Sequence, residues 1–218
     1  MAAFTLAERM GVREVELDIQ LSRDAHLVIC HDRMLDRYGY PGRVVAGMTL
    51  HELKMLDMGS WFSHGSFQDE RMLTLDELFD RFGARFTYHI EIKEPAPGIE
   101  QAVLDTVDSH GLRQAVVVTS FHYAVLAKVR KLCRQIPTGW LVKKDGLSRS
   151  CIDQAVLIGC LQICPKVSDL TADQVAEARR WLPEVRAFGV KTLDDVLRVV
   201  ETGCDGLTID HPDWLRHR

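Results

Sequence analysis

The chain has 218 residues, 46% of them hydrophobic, and a net charge of −4 from 27 basic and 31 acidic side chains. This length fits one domain with a large core, and the near-neutral charge gives no support for nucleic-acid binding, which usually shows a basic patch. No apolar run approaches the length of a membrane span, and the first residues lack the basic region and apolar core of a secretory signal.

The cysteines indicate a reducing environment. There are six, scattered in apolar contexts without a C-x-x-C pair: Cys30, Cys133, Cys151, Cys160, Cys164 and Cys204. Reduced thiols packed in the core explain this pattern better than zinc ligands or disulfides do. We therefore expect a cytoplasmic protein.

Two carboxylates on one strand dominate the first part of the chain. Residues 12–18 read VREVELD and alternate as a strand does, so Glu16 and Asp18 share one face, roughly 6.5–7 Å apart. Like charges on an otherwise apolar strand repel, and a hard cation such as Mg²⁺ or Ca²⁺ removes the repulsion. A turn and a short apolar run then bring His31 and Asp32 beside the pair. The alternative is an edge strand with solvated acids and a surface histidine.

The rest of the chain alternates strands with helices. After the strand 12–18 and the hairpin strand 27–30, the candidate strands are 86–93, 115–120, 138–141, 161–164, 185–188 and 206–209. The candidate helices are 4–10, 50–56, 75–82 with Thr74 as a possible N-cap, 99–110, 123–132, 152–158, 172–182 and 193–201. This alternation predicts a parallel sheet with right-handed crossovers. Seven strand–helix units are present, and eight close a (β/α)8 barrel.

Several charged residues fall at the C-terminal ends of the predicted strands, where barrels of this class hold their active sites. Glu91 and Lys93 share one face of the strand 86–93. With Glu16 and Asp18, Glu91 makes three converging carboxylates, and without a cation at least one of them must be protonated. The alternatives are a solvated acidic rim and, for Lys93, an ion pair that neutralises it. His89 lies deeper on the same face and is predicted to be a hydrogen-bonded core histidine.

The order of these motifs resembles that of the glycerophosphodiester phosphodiesterases. ELD at 16–18, HD at 31–32 and IEIK at 90–93 occur with TLHEL at 49–53, GSWF at 59–62, LTLDE at 73–77 and GLTIDHP at 206–212. Each motif is weak alone, but their order and spacing cover essentially the whole chain. The resemblance implies a TIM-type (β/α)8 barrel, a single domain over residues 1–218. It implies an enzyme of lipid metabolism that hydrolyses a glycerophosphodiester to an alcohol and glycerol 3-phosphate.

The resemblance also implies roles for the charged residues. Glu16, Asp18 and Glu91 occupy the positions that the family uses for its divalent cation, Mg²⁺ or Ca²⁺. His31 corresponds to one of two catalytic histidines and is expected to protonate the leaving alkoxide. Lys93 is suited to the phosphate as a point charge.

Three later residues resemble family positions where an apolar wall meets the glycerol or the alcohol group of the substrate: Ser120, Phe121 and Trp140. The aromatic rings could equally serve only in core packing. An apolar wall at this place would suit a lysophospholipid, so both small glycerophosphodiesters and lysophospholipids are candidate substrates. The closing motif at 210–212 is predicted to be a structural turn.

The chain departs from the family at its beginning. The family opens with a strand that ends in His-Arg-Gly and supplies the other catalytic histidine and a phosphate-binding arginine, and neither is found here. We expect either a natural protein that extends upstream of Met1 or an open barrel that self-associates through its unpaired edges. His64 and His122 lie in loops where a replacement histidine could stand.

Two other hypotheses about the function compete with the phosphodiesterase hypothesis. The first is a catalytically impaired barrel that acts as a binding or interaction module, because the His-Arg-Gly motif is missing. The second is another metal-dependent barrel enzyme such as an aldolase, since a fold alone does not fix a function. The HD motif that follows ELD argues against the aldolase.

Overall fold

A computed structural model describes residues 1–62, 65–143 and 147–215 of the chain. Its contacts divide the chain into two compact units, Met1–Val116 and Val117–Arg218. Among the described residues, no helix combines the length and the apolar character needed to cross a membrane. All six cysteines are free thiols; Cys30, Cys160 and Cys164 are buried as predicted, and the other three are half-buried.

The first unit contains a four-stranded sheet in the order β3-β2-β1-β4. The pairs β1–β2 and β2–β3 are antiparallel, and β1–β4 is parallel. The strands are β1 (Glu14–Leu21), β2 (Leu27–Ile29), β3 (Leu73–Thr74) and β4 (Thr87–Ile92), and the helices are α1 (Ala2–Arg9), α2 (Leu50–Lys54), α3 (Leu75–Phe82) and α4 (Ile99–Ser109). The two-residue strand β3 is absent from the sequence prediction because two residues carry no periodicity.

The first strand is longer than predicted, and this changes where its carboxylates lie. The prediction ended the strand at Asp18, but β1 continues to Leu21 because its last three residues pair with β2 in an antiparallel hairpin. The parallel pairing with β4 ends at Ile19 opposite Ile92. Asp18 therefore lies inside β1, at the level where β4 ends.

The second unit is a run of five parallel strands in the order β5-β6-β7-β8-β9. The strands are β5 (Val116–Ser120), β6 (Thr138–Leu141), β7 (Gln162–Cys164), β8 (Glu184–Val190) and β9 (Gly206–Ile209). The helices between them are α5 (Tyr123–Leu132), α6 (Arg149–Ile158), α7 (Ala172–Ala178) and α8 (Leu193–Thr202). The predicted alternation of strands and helices is confirmed here.

Two helices of the second unit differ from their predicted bounds by more than one residue, for local reasons. Helix α6 begins three residues early, because the Ser148 hydroxyl accepts a hydrogen bond from the backbone N–H of Cys151 and caps it. Helix α7 ends at Ala178 instead of residue 182. Pro183 disfavours the helical conformation of the residue before it, so the chain turns out of the helix ahead of the proline.

Buried apolar clusters hold each unit. In the first unit, a cluster that includes Val28, Leu35 and Leu53 lies between β2 and the long segment that follows it. In the second unit, a larger cluster includes Ile163 and Val185 from the centres of β7 and β8. On the strands that carry the carboxylates, the neighbouring apolar residues Leu17, Ile90 and Ile92 are buried as well.

The start of α3 is fixed by a capping box at Thr74, which confirms the predicted N-cap. The Thr74 hydroxyl accepts a hydrogen bond of 3.2 Å from the Glu77 backbone N–H, and the Glu77 carboxylate accepts one of 3.0 Å from the Thr74 backbone N–H. Glu77 also forms an ion pair with Lys54 of α2. The cap therefore joins two helices of the first unit.

Replacing Thr74 by Ala is expected to lower the free energy of unfolding by about 1 kcal/mol, the usual effect of losing a capping oxygen. Thr74→Ser keeps the hydroxyl and should lose much less. Urea denaturation measures both variants. Equal losses would contradict the role of the hydroxyl.

Candidate active site

Three carboxylates converge where β1 lies beside β4. Glu16, Asp18 and Glu91 each offer an oxygen atom, and these atoms lie within 4.8 Å of one another. They meet because residues two apart on β1 share a face and because the parallel register places Asp18 opposite Glu91. Glu91 is 6% exposed and Asp18 9% exposed, whereas Glu16 is exposed. Solvent therefore reaches the cluster at Glu16.

The environment of Glu91 disfavours its charged form. Burial, together with the nearby charge of Asp18, raises the pKa of Glu91 to about 7. Its Oε1 atom is buried and accepts no hydrogen bond from the described residues. A buried acceptor without a partner destabilises a fold, and a hard cation would supply that partner. Three carboxylate oxygens of this kind are the donor set that Mg²⁺ and Ca²⁺ prefer.

Lys93 lies against the carboxylates. Its Nζ donates a hydrogen bond of 2.9 Å to Asp18 Oδ1 and lies 3.5 Å from Glu91 Oε1. Burial alone would lower the pKa of Lys93, but the charges of Asp18 and Glu91 outweigh it and raise the pKa above its ordinary value. The ammonium group is therefore charged at neutral pH. One positive charge does not balance the charge of three ionised carboxylates. The ion pair with Lys93 therefore leaves a net negative charge that a cation can neutralise.

His31 follows β2, close to the carboxylate strand. The backbone N–H of Cys30 donates a hydrogen bond of 3.0 Å to the Asp18 carbonyl, which ties the end of β2 to β1. The His31 side chain is 57% exposed, and its Nδ1 atom lies 2.7 Å from Asp32 Oδ1. Because Asp32 holds Nδ1, Nε2 is the nitrogen that remains for proton transfer.

Sequence reasoning missed two residues of this region. Gln20 lies two residues beyond Asp18 on the same face of β1, and its side-chain amide donates to the carbonyls of Cys30 and Asp32 at 2.8 and 3.1 Å. Its position on this face of β1 was the signal that could have indicated a role for Gln20. The Arg37 Nε atom lies 3.0 Å from Asp32 Oδ2. Arg37 is in a segment without periodicity, so no pattern indicated it.

The three residues predicted to face the glycerol or the alcohol group belong to the second unit. Ser120 ends β5 and is fully buried, and its hydroxyl accepts a hydrogen bond from the His122 backbone N–H. The Phe121 ring packs edge-on against Phe188 at 5.3 Å. Trp140 is half-buried and packs against the apolar core of this unit. Their contacts with substrate stay a prediction.

The other histidines have different surroundings. His89 is 7% exposed, and its Nε2 atom lies 3.1 Å from Glu14 Oε2, which confirms the predicted hydrogen-bonded core histidine. His122 is the N-cap residue of α5. His211, in the closing motif, stacks on Trp214 at 4.6 Å. His64 lies outside the described residues.

Parallel strands alternating with helices, and carboxylates with a lysine where a strand ends, are typical of α/β-barrel enzymes that use a divalent cation. A sequence model of the Glycerophosphoryl diester phosphodiesterase family matches residues 1–214. The chain belongs to this family and is therefore a phosphoric diester hydrolase.

Individual relatives agree with the family assignment. A glycerophosphodiester phosphodiesterase of Caldanaerobacter subterraneus is 30% identical over 99% of this chain and 89% of its own length. One of Bacillus subtilis is 28% identical over 97% of this chain and 78% of its own length.

Solved structures confirm the fold class. An Oleispira antarctica phosphodiesterase in complex with the product sn-glycerol-3-phosphate has a TM-score of 0.87 and 26% identity, over 97% of this chain and 86% of its own. A putative glycerophosphoryl diester phosphodiesterase of Silicibacter pomeroyi has a TM-score of 0.86 and 25% identity, over 97% and 84%. The chain has the α/β fold of this family's TIM-type barrels.

Proposed function

We propose that this chain hydrolyses glycerophosphodiesters to an alcohol and glycerol 3-phosphate with the help of a divalent cation held by Glu16, Asp18 and Glu91. The observation that carries the proposal is the convergence of three carboxylate oxygens within 4.8 Å of one another. One of the three residues, Glu91, also has a buried oxygen that accepts no hydrogen bond from the described chain. The names of the sequence relatives and the glycerol 3-phosphate in the Oleispira structure support the substrate class.

Each residue of the first unit has a distinct proposed part. When bound, the cation would polarise a phosphoryl oxygen and offset the charge that develops there. Lys93 binds the phosphate as a point charge, a role that its raised pKa permits at neutral and alkaline pH. His31 donates a proton from Nε2 to the leaving alkoxide, because Nδ1 is already held by Asp32.

The remaining assignments concern the substrate and its setting. Phe121 and Trp140 are proposed to line the alcohol group, with Ser120 beside them. An apolar lining accepts an acyl chain, so lysophospholipids join the small glycerophosphodiesters as substrates, and the enzyme would act in lipid metabolism. Both Mg²⁺ and Ca²⁺ bind carboxylate oxygens, so both ions belong in the assay. We also propose that the chain is a single cytoplasmic domain and that it self-associates.

The identity of the phosphorus product tests the reaction. We expect the chain with Mg²⁺ or Ca²⁺ to convert glycerophosphocholine to glycerol 3-phosphate and choline, as followed by phosphorus NMR. The Asp18→Asn variant is the matched control, because it removes the negative charge of one proposed ligand without changing the shape of the side chain. Release of phosphocholine would contradict the proposal, since it requires cleavage of the other ester bond.

A further inference from the structure

Three polar side chains hold the segment around His31, and the proposed chemistry uses only one of them, Asp32, through its contact with the ring. We propose that Gln20, Asp32 and Arg37 are positioning residues for His31: Gln20 fixes its backbone, and the Asp32–Arg37 pair fixes its ring. The proposal rests on the proposed role of His31 as a general acid, and one of its tests is independent of that role.

Gln20 fixes a piece of backbone that no strand holds. His31 comes after the last residue of β2, so sheet hydrogen bonds do not constrain it. The Gln20 side chain is buried. Its amide nitrogen donates hydrogen bonds to the Cys30 carbonyl at 2.8 Å and to the Asp32 carbonyl at 3.1 Å, on either side of His31. Both donor hydrogens of the amide are thus used on the carbonyl groups of the two residues that flank the histidine.

Asp32 fixes the ring through one of its oxygens and is itself fixed through the other. Oδ1 lies 2.7 Å from His31 Nδ1, and Oδ2 lies 3.0 Å from Arg37 Nε. Rotation of the carboxylate would lose one of these contacts, so its orientation depends on Arg37. A carboxylate at Nδ1 selects the tautomer with the hydrogen on Nδ1, which leaves Nε2 for proton exchange with a substrate.

Arg37 is braced in turn by an aromatic ring. Its guanidinium carbon lies 5.6 Å from the centroid of the Trp61 ring, and Trp61 packs edge-on against Tyr38 at 5.4 Å. The Arg37 side chain is 50% exposed, and ion pairs of such exposure add little to stability. A role in orienting Asp32 and His31 therefore explains the contact better than a role in stability does.

Steady-state kinetics provide the first test. Arg37→Gln and Gln20→Leu should lower kcat for glycerophosphocholine roughly 10-fold, and Asp32→Asn roughly 100-fold. These losses stay within the 10²–10⁴-fold that a general acid contributes in total. KM should stay within about twofold, because none of the three residues binds the substrate. Arg43→Gln is the matched control: Arg43 lies over the Tyr40 ring in the same loop, and its loss should leave kcat unchanged.

The tautomer of His31 provides the second test, which needs no activity. In chain labelled with ¹⁵N on histidine, the neutral His31 ring should carry its hydrogen on Nδ1, with the resonance assigned by its loss in His31→Asn. Asp32→Asn and Arg37→Gln should move the population towards the Nε2–H form. Arg37→Lys keeps the positive charge but loses the guanidinium group, so it should move the population part of the way. Arg43→Gln should leave it unchanged.

The two tests separate this proposal from the proposed function. A folded Arg37→Gln variant that keeps both the wild-type tautomer and the wild-type kcat would overturn the positioning role of Arg37. A wild-type chain that is inactive, but whose tautomer responds to Asp32 and Arg37 as expected, would uphold the positioning and contradict the proposed function. Equal falls in kcat and in melting temperature for Arg37→Gln and Arg43→Gln would show a general effect on the loop and would also overturn it.

Discussion

Replacing Glu91 by Gln is expected to lower metal-dependent hydrolysis by roughly 100-fold or more, while the metal-free chain becomes as stable as the wild type or more so. The loss of activity follows from the removal of one of three charged ligands, a larger change than the loss of an outer-shell partner, which by itself lowers metal affinity or activity about 10–100-fold. The stability gain follows because the substitution removes a buried carboxylate, the group whose ionisation burial and Asp18 disfavour.

The stability gain should depend on pH in a defined window. Without metal, Glu91 titrates at about 7 in the folded chain, against 4.5 for an ordinary glutamate. The folded state therefore binds this proton more tightly than the unfolded state does. The resulting stabilisation is complete below pH 4.5 and is lost as the pH rises through about 7. Since Gln does not titrate, the variant should gain most above that pH, by roughly 3 kcal/mol at most.

Two measurements check this first prediction. Denaturant melts in the presence of a chelator, at acid and alkaline pH, give the stability, and the initial rate with added Mg²⁺ or Ca²⁺ gives the activity. Glu201→Gln, an exposed position on α8, is the matched control and should change neither. A Glu91→Gln variant that keeps wild-type metal-dependent activity would contradict the ligand role of Glu91.

Replacing His31 by Ala is expected to lower turnover of glycerophosphocholine about 10²–10⁴-fold, the usual contribution of a general acid. Metal binding should stay unchanged, because His31 contacts Asp32 and is not one of the three clustered carboxylates. His51→Ala, an exposed histidine of α2, is the control and should retain full activity. Isothermal titration with the metal and an assay of glycerol 3-phosphate release measure the two properties.

The leaving group distinguishes a general acid from other roles of His31. A nitrophenolate leaves without protonation, whereas the alkoxide of choline needs a proton as it departs. The His31→Ala variant should therefore lose far less activity on a nitrophenyl glycerophosphodiester than on glycerophosphocholine. Equal losses on the two substrates would contradict the general-acid role and point to binding or nucleophile activation instead.

The sequence predicted those parts of the structure that follow from periodicity. Alternation on β1 placed Glu16 and Asp18 on one face, and the parallel register then brought Glu91 to them. The predicted end of β1 at Asp18 was wrong because the hairpin with β2 extends the strand to Leu21. The hairpin partner at 27–30 was predicted, but the register of its pairing with β1, which decides how far β1 continues, was not.

Two supports of His31, Gln20 and Arg37, could not be predicted because they depend on contacts between segments without a common period. Arg37 reaches Asp32 only because a short 3-10 turn over Asp36–Tyr38 follows β2. Gln20 lay beyond the predicted end of the strand, and its two acceptors became apparent only with the path of the chain after β2. Motif order identified the family, whereas side-chain hydrogen bonds required the folded chain.

The most direct test of the metal-dependent phosphodiesterase is the release of glycerol 3-phosphate from glycerophosphocholine by the chelator-treated 218-residue chain, before and after Mg²⁺ or Ca²⁺ is restored. The account predicts negligible release without metal and turnover when either ion is added. It also predicts that Asp18→Asn, folded by the same criteria, does not recover with metal. Turnover that persists in the chelator, or a folded wild-type chain that stays inactive with both ions, would contradict it.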